Sequence, residues 1–314
     1  MSDYKDSMKK NRNNDTRRPK TGRWILMGLL IILLVSVAYV CIRGYFIDVY
    51  IYSVPCSAPG KVRIVCLTDL HGQIYGKDQG RIVKKVQAAE PDLIVYLGDM
   101  VERTKPSKSM DALVVLTENL TKIAPVYYVD GNHELDVRDD APELYEKLNK
   151  ALDDSGAIRL DNETVRIELD NEGTIVNLCG ISTHYYWEEE ENQLMEELRS
   201  RGGINVLLCH YPESVLWYKA FEGGGLSAAL CGHTHGGLVQ VPFRGGLYAP
   251  EWGWWPKYDS GAYPVYTDTS WRNYGGKTGA AYLGTMIVSG GLAGEHGVPR
   301  INNPMEISVV DIGK

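Results

Sequence analysis

Two histidines one residue apart, His233 and His235, lie within Cys231-Gly232-His233-Thr234-His235-Gly236-Gly237. On a helix such a pair points to nearly opposite sides, whereas on an extended chain positions i and i+2 share a face. The flanking glycines let the chain bend tightly. Neutral imidazole is the commonest metal ligand among side chains, so this stretch suits a turn that presents two nitrogen ligands. A plain polar turn has the same local sequence, and the choice rests on the rest of the chain.

The other residues with chemical potential fall where apolar runs stop. Residues 62–67 lead into Thr68-Asp69-Leu70-His71-Gly72, and 93–97 into Gly98-Asp99-Met100-Val101-Glu102. Residues 126–129 lead into Asp130-Gly131-Asn132-His133-Glu134, 205–209 into His210-Tyr211-Pro212, and 226–230 into the histidine pair. Each cluster alone has an ordinary explanation. An Asp after a strand commonly shapes a turn, Asn132 after Gly131 suits a type I′ turn, and His210 fits a hydrogen-bonded core histidine. Jointly they do not. Ligands in open α/β sheets gather beyond the carboxyl ends of strands, and converging imidazoles and carboxylates without a cation are costly to bury. Asp69, His71, Asp99, Asn132, His210, His233 and His235 are therefore candidate metal ligands, with His133 adjoining them.

The elements that must position these residues are short strands alternating with amphipathic helices. Helices are expected near 79–89, 110–123, 141–153 and 188–201, and further strands near 164–169, 174–181, 281–288 and 306–311. This alternation argues for an α/β sheet with helices outside. No repeat or low-complexity linker divides residues 61–314, which are expected to form one catalytic domain after a juxtamembrane connector at 43–60.

The N-terminal region is different in kind. Residues 1–23 hold eight basic and three acidic side chains, a net +5, and leave −12 for the remainder of a chain whose total is −7. With little to bury, this tail is expected to be disordered. Residues 24–42 carry no charge and, as a helix, span roughly 28 Å, close to a bilayer's hydrocarbon core. The small residues Ser36 and Ala38 lie inside that run, not after it, which argues against cleavage. The expectation is a single-pass signal anchor in the cell membrane, with a cytoplasmic N-terminus and an extracytoplasmic catalytic domain. Six cysteines show no paired spacing and carry no disulfide framework.

The blocks Asp-Leu-His at 69–71, Gly-Asp-Met-Val-Glu at 98–102, Gly-Asn-His-Glu at 131–134, His210 and Gly-His-Thr-His at 232–235 resemble, in order, the calcineurin-like metallophosphoesterase family. Residues 247–250 and 303–307 look like its bacterial membrane-associated branch of YkuE- and YaeI-like phosphoesterases. The resemblance implies a four-layer α/β sandwich, two packed mixed β-sheets flanked by helices, preceded here by one transmembrane helix. It implies two divalent metal ions bridged by Asp99, with Asp69, His71 and His235 completing one site and Asn132, His210 and His233 the other. Oxygen and imidazole ligands suit Mn, Zn or Fe alike. By the same resemblance a hydroxide shared by the metals attacks a phosphodiester or pyrophosphate bond, and His133 serves catalysis beside Asp99. A phosphomonoesterase or a catalytically silent metal-binding module of the same fold are the alternatives. Glu134 is expected to orient a histidine rather than to bind metal. Glu102 stands where purple acid phosphatases carry a ligand tyrosine, which disfavours that subclass.

The substrate is expected to be a phosphate ester, with lipid-linked compounds and sugar nucleotides as options. The −12 charge outside the tail disfavours nucleic acid. Nine aromatic residues between Tyr248 and Tyr274 crowd a Gly- and Pro-rich segment read as a long ordered loop. It serves either as a packed satellite cluster, as a wall over the site, or as an interfacial belt. Lys257, Arg272 and Lys277 are its potential phosphate partners, and Arg103 is read as a surface charge. His184 and His296 match no ligand block. The sequence carries no signal of oligomeric state.

Overall fold

Period-two burial along the strands decides the architecture. In the strand Lys61–Leu67, Val62, Ile64 and Cys66 face one core while Val65 and Leu67 face another. The strand Ile204–Cys209 divides in the same way, with Ile204, Val206 and Leu208 on one side and Leu207 and Cys209 on the other. Strands with two apolar faces must be covered twice, and the result is two sheets packed face to face with helices outside each. The computed structural model describes residues 20–169, 173–183, 186–250, 252–270, 273–294 and 298–313.

In chain order the elements are α1 (Lys20–Arg43), β1 (Ile47–Val54), β2 (Lys61–Leu67), α2 (Gly80–Ala89), β3 (Leu93–Leu97), α3 (Pro106–Leu120), β4 (Val126–Val129), α4 (Asn132–Asp140), α5 (Pro142–Asp154) and β5 (Ala157–Arg159). There follow β6 (Glu163–Glu168), β7 (Ile175–Ile181), α6 (Glu189–Ser200), β8 (Ile204–Cys209), α7 (Pro212–Trp217) and β9 (Ala228–Cys231). The short ladders β10 (Gln240–Val241), β11 (Gly245–Gly246), β12 (Tyr248–Ala249) and β13 (Gly253–Trp254) precede β14 (Gly261–Tyr266), β15 (Tyr282–Val288) and β16 (Met305–Gly313).

The first six-stranded sheet runs β1-β16-β2-β3-β4-β5, with β2 to β5 mutually parallel and β16 antiparallel to β2. The second runs β14-β15-β9-β8-β7-β6, parallel from β15 to β7 with an antiparallel strand at each edge. Between them lies a dry core that includes Ile64, Val95, Val206, Leu208, Leu230 and Val310. α2, α3 and α5 cover the outer face of the first sheet through Ile82, Val86, Leu113, Leu116, Leu148 and Leu152. α6 and α7 cover the second through Met195, Leu198, Val215 and Leu216. This is the expected sandwich of two mixed sheets between helices.

Three local expectations differ from the structure. The stretch 43–60, expected as a connector, contributes β1, which pairs in parallel with β16 from Ile47↔Met305 to Val54↔Ile312. Its alternation Ile47, Val49, Ile51 is blurred by tyrosines and by the adjoining apolar helix, which hides the signal. The segment 247–274 is not one long loop, since β14 pairs antiparallel with β15. Tyr258 and Val265 enter the outer core of the second sheet, with Trp252 and Tyr263 packed against it. Finally, α3 starts at Pro106, four residues before the apolar periodicity shows, because proline is preorganised for the first helical turn. α1 is a single exposed helix, long and apolar enough to cross a membrane. The six cysteines are unpaired.

Candidate metal centre

Strand order brings the polar clusters together. β2, β3 and β4 run parallel in one sheet, β8 and β9 in the other, and their carboxyl ends meet across the sandwich. The loops are stitched by main-chain bonds: Asp69 N–H donates to Gly98 O (3.1 Å), His71 N–H to Asp99 O (3.0 Å) and Gly232 N–H to His210 O (3.1 Å). Gly98, at φ +89°, lies so close to Gly131 that an added Cβ would come within 2.6 Å of its Cα. Asp69, His71, Asp99, His233 and His235 all have φ between 45° and 74°. Non-glycine residues avoid this left-handed region, and such strain gathers at functional sites.

Asp99 occupies the middle. Its Oδ1 accepts the backbone N–H of His133 at 2.8 Å. Its Oδ2 is left to face His210 Nε2 at 3.4 Å, His71 Nε2 at 3.9 Å and His133 Nε2 at 4.0 Å. On one side Asp69, His71 and His235 bring ligand atoms within 4.8 Å of one another, and on the other Asp99, His210 and His233 do the same. Asn132 joins the second group, its Oδ1 lying 3.2 Å from His210 Nε2. All seven candidate ligands and His133 thus lie around one point. His184, His296 and Arg272 fall outside the described residues.

The donor set fits divalent cations. His210 Nδ1 lies 2.6 Å from the Leu97 carbonyl and His235 Nδ1 lies 3.0 Å from the Ala293 carbonyl. An acceptor there assigns the proton to Nδ1 and leaves the Nε2 lone pair aimed inward. His233 Nδ1 faces His210 Nε2 at 3.2 Å. Both nitrogens of His71 are buried without a hydrogen-bond partner, an arrangement whose cost a cation removes.

The charges point the same way. Burial lowers the pKa of His71 to about 4 and, with His71 adding to the effect, pushes His235 well below the usual imidazole value. Both rings are therefore neutral and able to donate a lone pair. Burial also opposes ionisation of Asp99, yet His210, His133 and His71 outweigh it and hold the carboxylate well below its ordinary range. Burial works against a charged His210 too, but Asp99 overrides it and raises the ring to about 10. Asp69 is pushed up to about 7 by burial, with neighbouring Asp99 adding to the effect. The cluster without cations holds a protonated histidine among anions, the charge pattern that a metal would replace.

Glu134 does not orient a histidine. Its two oxygens accept the backbone N–H groups of Asp99 (2.8 Å), Val101 (2.9 Å) and Gly131 (2.9 Å), so it ties the β3 and β4 loops together. The expectation failed because backbone partners leave no mark in sequence. His133 lies in the first turn of α4, a helix hidden by its polar composition, and its Nδ1 accepts the Arg103 N–H at 3.2 Å. Arg103 itself pairs with Asp136 at 2.5 Å, at the surface.

Two residues with structural influence on the site come from the far end of the chain. Arg300, buried, donates from Nη1 to the Ala293 carbonyl that also holds His235. It donates from Nη2 to Asn303 Oδ1 at 3.0 Å. Asn303 Nδ2 reaches the carbonyls of His235 (2.8 Å), Gly236 (3.3 Å) and Leu238 (3.2 Å). The Asn303-Pro304-Met305-Glu306-Ile307 stretch was the signal for this support. Behind the same turn, Asp259 accepts from Gly246 N–H, Gln240 Nε2 and Tyr263 Oη. The aromatic segment therefore packs as a cluster that supports the turn, and Lys257 lies over the rings of Tyr258 and Tyr274. The lysines beside the centre are Lys105 and Lys108, which line a cleft ending at His71.

A family model described as calcineurin-like phosphoesterase matches residues 62–237, more than half of the chain. The metallophosphoesterase YkoQ of Bacillus subtilis strain 168 is 27% identical over 182 residues, which cover 58% of this chain and 64% of that relative. Phosphodiesterase YaeI of Escherichia coli K12 is 27% identical over 162 residues, 51% of this chain and 55% of YaeI. The chain thus spans less than two thirds of these relatives. Among solved structures, the sulfate thiohydrolase SoxB of Thermus thermophilus aligns over 75% of this chain and 52% of its own, at 13% identity and a TM-score of 0.45.

Proposed function

Because the chain belongs to the calcineurin-like phosphoesterase family, we propose that it hydrolyses a phosphodiester or pyrophosphate bond with two divalent metal ions. The observation that carries this reading is the convergence of Asp69, His71, Asn132, His210, His233 and His235 around Asp99, whose Oδ2 faces His210 and His71, with both His71 nitrogens buried and without a hydrogen bond. Asp69, His71 and His235 would hold one ion, Asn132, His210 and His233 the other, and Asp99 both. Bound there, the ions would supply Lewis acidity, making water nucleophilic near neutral pH and neutralising phosphate charge.

The chain's own groups do the positioning. Glu134, Arg300 and Asn303 keep the ligand loops in place. His133 accepts the Arg103 N–H through Nδ1, so its neutral ring carries the proton on Nε2, which faces the centre. That N–H is placed to donate to a phosphate oxygen or to the departing oxygen. The apolar α1 and the basic tail before it support an anchored enzyme whose domain acts at the outer face of the membrane.

The test uses the full chain in detergent. Metal analysis after Mn²⁺ loading and desalting is expected to give two ions per chain, with hydrolysis of bis(p-nitrophenyl) phosphate exceeding that of p-nitrophenyl phosphate. Asp99→Ala and Asn132→Ala are expected to lose at least 10²-fold in rate. Metal-free protein, or full hydrolysis by both variants, refutes the proposal. A reporter fused after Ile42 that is active only inside the cell refutes the orientation.

A further inference from the structure

The tip of the β10–β11 hairpin is a stretch that folding alone does not explain. Arg244 N–H donates to the Val241 carbonyl at 3.0 Å and closes a four-residue turn through Pro242 and Phe243. Proline in second place and a positive φ in third are the pattern of a type II turn, whose third place favours glycine or asparagine. Phe243 occupies it at φ +66°, and its side chain is fully exposed. The residue thus carries backbone strain and buries nothing in return, which points to a partner outside the domain. It is one of a group. Arg244, itself exposed, lies 3.7 Å over the Trp255 ring, and Trp255 also has a positive φ, +61°. Tyr248 and Trp254 face each other across β12 and β13 with ring centres 5.7 Å apart. Trp254 is 69% exposed, Tyr248 41% and Trp255 39%. The two short hairpins therefore present four exposed aromatic rings and one guanidinium as neighbours.

This patch lies beside the end of α1. Asn302 N–H donates to the Val40 carbonyl in the last turn of α1 at 3.0 Å, and Asn302 Nδ2 donates to the Gln240 carbonyl at 2.9 Å. Gln240 N–H in turn donates to the Ile301 carbonyl at 3.0 Å. Arg43, the last residue of α1, lines one cleft of about 550 Å³ together with Gln240 and Gly245 from the two strands of the hairpin. Phe243 follows Gln240 by three residues, which places it at most roughly 11 Å away along the chain. That reach is comparable with the depth at which interfacial side chains lie. At its root the hairpin is fixed to the histidine turn, since Leu247 N–H donates to the carbonyls of Gly237 (3.2 Å) and Val239 (2.8 Å). Trp, Tyr and Phe beside an apolar helix's exit are the composition of a membrane–water interface, where ring bodies sit at the acyl boundary and indole N–H, phenol and guanidinium reach the headgroups. A protein partner accounts for exposed rings, but not for their place next to a helix whose apolar surface is itself uncovered.

We infer that the β10–β11 and β12–β13 hairpins enter the interfacial layer of the bilayer that holds α1, through Phe243, Tyr248, Trp254 and Trp255, and give the domain a second attachment to it. This rests on the reading of α1 as a membrane anchor and is independent of the chemistry proposed above. A single helix leaves a domain free to swing about its exit. Because α1 already confines the domain to the membrane, the hairpin contact is an intramolecular event, and a few rings suffice to hold it. The root of the hairpin on the histidine turn then sets the height and tilt of the metal ligands above the bilayer.

The experiment uses the full chain, one copy per nanodisc of phosphatidylcholine and phosphatidylglycerol, with Cys41 and Cys56 replaced by serine. The other four cysteines are buried and stay unlabelled. A polarity-sensitive NBD fluorophore is attached in turn at Phe243→Cys, at Tyr39→Cys within α1, and at Lys150→Cys on α5, which lies by β5 at the sheet edge opposite β1. The label at 243 is expected to emit about threefold more strongly than the label at 150 and to be quenched by doxyl-labelled lipid, as the label at 39 is, because interfacial groups lie roughly 5–10 Å into the headgroup and acyl boundary. Trp254→Cys gives the same reading from the neighbouring hairpin should the turn at 243 fail to fold. Labels at 243 and 254 that behave as at 150, with 39 quenched, overturn the proposal and leave the anchor standing. Emission gained without doxyl quenching places the rings against protein and overturns the bilayer assignment. No quenching at 39 overturns the anchor reading and the proposal with it.

Discussion

Asn303→Ala tests whether the histidine turn is held from the far end of the chain. Asn303 Nδ2 has two hydrogens and three carbonyls within reach, the closest being His235 O at 2.8 Å. Its Oδ1 accepts from Arg300 at 3.0 Å. Alanine removes about three hydrogen bonds, and it leaves two buried carbonyls and one guanidinium N–H without partners. At about 1 kcal/mol per bond, and somewhat more for the charged donor, the loss is about 3–4 kcal/mol. In a domain this large each kcal/mol moves the melting point by roughly 2–4 °C, so Tm is expected to fall by roughly 6–16 °C. Because the freed turn carries both His233 and His235, Mn²⁺ affinity is expected to fall about 10–100-fold, the usual effect of removing a group that orients a ligand. Calorimetric titration of Mn²⁺ into metal-free protein below its melting point separates the two losses. An affinity within twofold of the parent, with an unchanged melting point, refutes the argument.

Other outcomes follow from the same geometry. His71→Ala is expected to reduce the proposed content of two ions to one, since Asp69 and His235 remain but a ligand whose nitrogens make no hydrogen bond is gone; plasma emission analysis of the desalted protein checks this. Leu208→Ala, between the sheets, is expected to cost about 2–5 kcal/mol in urea unfolding. Removing residues 1–60 rather than 1–44 is expected to lower stability further, because it strips β1 from β16 and takes the buried Ile47 and Val54 out of the two cores. Burial raises the pKa of Glu306, which accepts from Ser308, Tyr52 and Gly290. A carboxyl whose folded pKa exceeds its unfolded value near 4.3 contributes stability that is present below that value and lost as pH rises through the folded one. Melting measured upward from pH 4.5 is therefore expected to fall more in the parent than in Glu306→Gln, and parallel profiles would contradict this.

The residue types that make the centre were legible because they recur in one local setting, a polar cluster straight after an apolar run. Asp69, His71, Asp99, Asn132, His210, His233 and His235 needed no knowledge of pairing to be noticed, and the apolar runs of β2, β3 and β8 announced a sheet covered on both faces. Tertiary structure decided what local pattern cannot carry. Glu134 holds backbone amides 33 to 35 residues away, Asn303 holds the turn 65 to 68 residues before it, and β1 closes a sheet edge against the last strand. These contacts depend on distances set by chain topology, and a main-chain partner has no identity in the sequence. The same holds for Lys105 and Lys108. As letters they are two surface charges, and only the folding of α3 beside the β2 loop brings them to the cleft that ends at His71.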